Sequence, residues 1–126
     1  MNEKIKEIAD FYGYEAQSRQ LIEEMAELTQ AINKMWRCDE GLIFTDKPFD
    51  QGLIFTDKPL ADVLEEIADV EICLDYVKYL TERKFGRREG MVDEKLNEIK
   101  NFKIERELER MKNILQRRGR EWRSLS

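Results

Sequence analysis

The chain has 126 residues, a net charge of −5 and no histidine, which excludes Ser/His/Asp and Cys/His triads, HExxH zinc sites and Cys/His zinc fingers. With 39% charged and 41% hydrophobic residues but only two prolines and six glycines, one all-α domain over residues 1–126 is expected. A domain of this size builds only a small core, so association of subunits into a homo-oligomer is expected as well.

Taken in chain order, the first predicted element is a short helix carrying Ile5, Ile8 and Phe11 that stops near Gly13. A long helix follows over residues 15–36, where Leu21, Met25, Leu28, Ile32 and Met35 alternate spacings of four and three. After a loop, Val63, Ile67, Val70, Leu74 and Val77 mark a helix over residues 60–84, ended by the region of Gly86 and Gly90. The last predicted helix spans residues 92–115. Its early apolar positions Val92, Leu96 and Ile99 give way to Ile104, Leu108, Met111 and Leu115 on a shifted phase, as where a helix bends or changes packing partners. About four helices therefore form a bundle, followed by a basic tail over residues 117–126.

Residues 41–48 read GLIFTDKP, and residues 52–59 repeat them without change. A Gly and a Pro in each eleven-residue unit argue against a helix, and a perfect pair argues against a solenoid, whose repeats diverge and number three or more. The pair reads as a tandem duplication in a loop, residues 41–59, which a fold tolerates because closure entropy grows slowly with loop length. Whether the two copies pair as a hairpin is left open by the residues.

Cys38 and Cys73 are too few and too far apart for a disulfide framework or a thiolate zinc site. The first residues lack a signal-peptide apolar region, and no apolar run approaches the ~20 residues of a membrane span. A cytoplasmic protein with reduced thiols and no membrane contact is expected.

The chemistry concentrates on the two middle helices. Glu23, Glu24 and Glu27 fall within one turn beside the Leu21/Met25/Leu28 stripe, and Glu66 and Asp69 stand three residues apart beside Val63/Ile67/Val70. If these helices pack antiparallel, Glu24 and Glu27 face Glu66 and Asp69 across a groove. Four carboxylates with no lysine among them call for a cation, and oxygen-only ligands select a hard one: Mg²⁺, with Mn²⁺ as a substitute. The same residue types also make ordinary solvated helix faces in a chain with 27 acidic residues.

Glu-Glu-x-x-Glu followed by Glu-x-x-Asp resembles the signature of the MazG-like all-α nucleoside triphosphate pyrophosphohydrolases, relatives of the dimeric dUTPases. The text around both motifs, residues 16–34 and 64–72, and the later basic stretch NFKIER at residues 101–106 resemble the same family, so the likeness covers about residues 3–111. One departure is the 38-residue spacer between Glu27 and Glu66, longer than is usual there; without one eleven-residue unit it falls into the family's range. The resemblance implies a dimer or dimer of dimers that hydrolyses a nucleoside triphosphate to the monophosphate and pyrophosphate. It implies that Glu24, Glu27, Glu66 and Asp69 hold Mg²⁺ and that Glu23 serves as general base or supports the ligands.

For phosphate contacts the candidates are Lys103 and Arg106, one turn apart, with Lys100; the alternative is a solvated basic face paired with Glu105, Glu107 and Glu109. For the base they are Gln17 and Gln20, which precede Glu24 on the same helix, with Phe11, Tyr12, Tyr14 and Trp36 for stacking. Phe102 and Tyr76 are assigned to packing. Nucleic acid is disfavoured as a partner despite the arginine-rich tail, because residues 1–99 carry 23 acidic against 13 basic side chains. The rival reading is a non-catalytic helical module that assembles or binds nucleotides, with the duplicated loop disturbing the site.

Overall fold

The structure, a computed structural model, describes residues 2–39 and 58–125. Three helices account for nearly all of them: α1 (Glu3–Asp39), α2 (Lys58–Lys84) and α3 (Met91–Leu125). The chain divides into two compact units, Met1–Glu89 with α1 and α2, and Gly90–Ser126 with α3.

The helix ends follow from local chemistry. Asn2 caps α1, its Oδ1 accepting from the Lys4 N–H at 2.8 Å. Pro59 occupies the second position of α2, where a missing N–H costs nothing. At the other end of α2, Gly86 takes φ 62°, Arg87 N–H donates to the Glu82 carbonyl at 2.8 Å and Gly86 N–H to that of Arg83 at 3.3 Å. This is the doubly bonded glycine termination that satisfies the last carbonyls of a helix. Asp93 and Glu94 place negative charge in the first turn of α3, at the positive end of its dipole.

Three helices stand where about four were expected. The predicted stop at Gly13 is a kink inside α1: Gly13 leaves helical geometry at φ 89°, ψ 169°, and the chain is helical on both sides of it. The last helix runs ten residues past the predicted end at Leu115, to Leu125. Residues 116–123 are mostly arginine, glutamine and glutamate, all good helix formers, and a single Gly119 at about 1 kcal/mol does not stop them. The region expected to be a tail is therefore largely helix. Residues 40–57, with most of the duplication, lie outside the described residues, and so does the question of a hairpin there; Lys58 and Pro59 of the second copy open α2.

In the first unit, α1 and α2 pack antiparallel. Lys6 pairs with Glu89 at 2.6 Å, Asp10 meets Tyr79 and Arg83, and Glu24 meets Glu66 and Asp69, so numbers rise on one helix as they fall on the other. Ala9, Tyr79 and Leu80 form the core, flanked by Tyr14 and Tyr76. The small side chains of Ala9 and Ala31 let the helices approach closely. Among the described residues no large side chain is fully buried, and Met25, Ile32, Ile67 and Leu74 of the two predicted stripes are exposed. None of the described helices is long and apolar enough to cross a membrane.

Candidate metal centre

Helical spacing places the carboxylates. Glu24 and Glu27 stand one turn apart on α1, Glu66 and Asp69 one turn apart on α2, and the antiparallel register sets the two pairs against each other. Glu24, Glu66 and Asp69, all half-buried, each offer one oxygen within 4.8 Å of the other two. Glu27 lies outside that trio, with its carboxyl beside those of Glu24 and Glu66.

Crowding shows in the proton affinities. The charge of Glu24, followed by desolvation, raises the Glu27 pKa above the ordinary 4.5. Desolvation, followed by the charges of Glu27 and Asp69, raises that of Glu66. Glu24 Oε2 and Glu66 Oε2 are buried and accept no hydrogen bond. Among the described residues no lysine or arginine pairs with any of the four carboxylates. Orphaned buried oxygens and uncompensated like charge are what a bound divalent cation resolves, and an all-oxygen donor set fits Mg²⁺ or Mn²⁺.

Two cavities flank the carboxylates. The first, about 490 Å³, is walled by Tyr12, Gln17, Gln20, Ile72 and Tyr76 and reaches Glu24 and Asp69. Gln17 is only 5% exposed, yet among the described residues nothing hydrogen-bonds its amide. Gln20 Nε2 donates to Glu24 Oε1 at 2.8 Å, so this side chain is tied to the cluster itself. Tyr76, assigned to packing, both packs against the core and lines this cavity. Cys73 lies there too, buried, its thiol pKa raised by desolvation and then by Glu24 and Asp69, which keeps it protonated and unreactive.

The second cavity, about 680 Å³, adjoins Glu27 and Glu66 and is lined by Asp62, Asn33, Lys34 and Arg37. Lys34 and Arg37 escaped the sequence reading, although part of a helical signal was present: Lys34 continues the face of Glu27 seven residues on, and Arg37 stands one turn beyond Lys34.

The remaining candidates lie elsewhere. Glu23 is exposed and lines neither cavity, since a one-residue step turns it about 100° around α1 from Glu24. Phe11 packs edge-to-face on Tyr12 at 4.8 Å, Lys84 lies over the Tyr14 ring, and Trp36 is exposed. Lys100, Lys103 and Arg106 are exposed on α3, in the second unit, with Arg106 over the Phe102 ring at 5.8 Å.

Comparison of the chain with family models, curated proteins and solved structures returns no match.

Proposed function

We propose that the chain is a metal-dependent nucleoside triphosphate pyrophosphohydrolase of the MazG-like kind, acting as a cytoplasmic homo-oligomer and cleaving its substrate to the monophosphate and pyrophosphate. The observation that carries this reading is the trio Glu24, Glu66 and Asp69, with two buried, unpartnered oxygens and no lysine or arginine paired with it among the described residues. Those three residues, with Glu27, are the ligands for Mg²⁺ or Mn²⁺. A divalent cation held there supplies neutralisation of polyphosphate charge and of the charge that develops on the transferred group.

The chain's own side chains supply the rest. Without histidine the proton of the attacking water goes to a carboxylate of the cluster, because Glu23, expected in that part from the sequence, is exposed and lines neither cavity. Gln17 offers an amide to a nucleobase edge, and Tyr12 and Tyr76 offer ring surface. Lys100, Lys103 and Arg106 belong to the reading as phosphate contacts on the strength of their spacing alone. Subunit association is supported by the exposed apolar residues of α1 and α2 and by the absence of a fully buried large side chain among the described residues.

The test is pyrophosphate release from a panel of ribo- and deoxyribonucleoside triphosphates with Mg²⁺. Turnover that is lost in Glu24→Ala and Asp69→Ala supports the reading; no turnover in the wild type, or unchanged rates in the variants, removes it. The duplicated loop favours one alternative, a nucleotide-binding module without catalysis. For that alternative the expected result is Mg²⁺-dependent nucleotide binding without hydrolysis, with activity gained on deleting residues 41–51.

A further inference from the structure

The carboxylate cluster has chemically different neighbours on its two sides. On the Glu24/Asp69 side the described residues of the cavity wall include two tyrosines, two glutamines and no lysine or arginine. On the Glu27/Glu66 side the described residues of the cavity wall include Lys34 and Arg37 and no aromatic residue. Gln17 lies seven residues before Glu24 and Lys34 seven residues after Glu27, so each stands about 10 Å along α1 from its nearer carboxylate.

Each end also holds unmet bonding capacity. Gln17, a residue more than nine-tenths buried, carries an amide with both a donor and an acceptor and no protein partner among the described residues. An amide of that kind complements a neutral heterocycle edge that presents both. Lys34 and Arg37 pair with no carboxylate among the described residues, although Asp62, Glu27 and Glu66 line the same cavity. An ammonium and a guanidinium in that setting fit phosphate oxygens.

Resting on the function proposed above, we infer that the groove has a fixed polarity: the nucleobase sits in the Gln17/Tyr12/Tyr76 cavity, and the terminal phosphates, the pyrophosphate to be released, sit against Lys34 and Arg37. The carboxylates lie between, where the bond to the departing pyrophosphate breaks. The first unit then carries cationic phosphate contacts of its own, on the helix that carries Glu24 and Glu27.

The experiment measures Mn²⁺-dependent binding of inorganic tripolyphosphate, and the hydrolysis of the common nucleoside triphosphates, for the full-length wild type, the double variant Lys34→Gln/Arg37→Gln, and Gln17→Met. The double variant is expected to bind tripolyphosphate at least tenfold more weakly while the ratios of kcat/KM among bases stay unchanged. Gln17→Met is expected to do the reverse: altered base ratios with tripolyphosphate binding intact. Unchanged tripolyphosphate binding in the double variant, or loss of that binding in Gln17→Met, overturns the polarity while leaving the metal-dependent reading in place. Absence of any Mn²⁺-dependent binding by the wild type overturns both. The replaced lysine and arginine are exposed, so equal Tm values verify that the double variant is folded.

Discussion

Gln20 Nε2 donates a hydrogen bond of 2.8 Å to Glu24 Oε1 one turn further along α1, while the other oxygen of that carboxylate, Oε2, is buried without a partner. One oxygen is thus held by the protein and the other is left for a ligand, the division expected of a metal-binding carboxylate whose orientation is set by an outer partner.

Replacing Gln20 with methionine keeps the side-chain length and removes the donor. Mn²⁺ affinity is expected to fall about tenfold, the lower end for loss of such a partner, with little change in Tm because Gln20 is exposed. Calorimetric titration of wild type and variant measures this; equal affinities would mean that the bond does not orient Glu24.

The carboxylates also set a pH dependence. Glu27 and Glu66 have pKa values above 4.5 in the folded chain, so the folded state holds more protons than the unfolded one just above that pH. The stability they contribute is full below 4.5 and lost as pH rises through their raised values. Glu89, lowered by its bond to Lys6, acts oppositely: its contribution is present above 4.5 and lost as pH falls through its lowered value. For metal-free protein, Tm is expected to rise as pH drops from neutrality towards 4.5 and to turn down below it. Thermal melts in chelator test this, and Glu27→Gln/Glu66→Gln flattens the upper limb.

Tyr79 ties the helices together near the opposite end of the pair. Its hydroxyl donates to Asp10 Oδ2 at 2.8 Å and accepts from Arg83 at 2.9 Å, while its ring is buried. Tyr79→Phe removes both bonds at a cost of about 1 kcal/mol for each. A fall in Tm of a few degrees with Mn²⁺ binding unaltered is expected.

Much of this was legible in the residues. The stripes led by Leu21 and Val63 yielded two long helices, and the i, i+3 spacing within Glu24/Glu27 and Glu66/Asp69 yielded their faces, because helical geometry is local. What was missed depends on the other helix. The burial of Gln17 and the wall formed by Lys34 and Arg37 exist only once α2 is laid against α1. Gly13 misled in a narrower way: a residue that often ends helices here only kinks one, since its neighbours on both sides keep helical geometry.

That kink carries its own expectation. Gly13 has φ 89° and nothing within 4 Å of where a Cβ would stand, so Gly13→Ala meets backbone strain rather than a clash. Destabilisation of about 1–3 kcal/mol is expected from denaturant melts, since this extended backbone with positive φ is open essentially to glycine alone. No loss would mean that the alanine chain straightens through residue 13.

Whether Glu24, Glu66 and Asp69 hold a divalent cation is read most directly by titrating Mn²⁺ into metal-free protein and following the free ion by electron paramagnetic resonance. Saturable binding in the wild type that is abolished in Glu24→Gln/Asp69→Asn is the expected result. Absence of saturable binding in the wild type, or equal binding by the folded double variant, would contradict it.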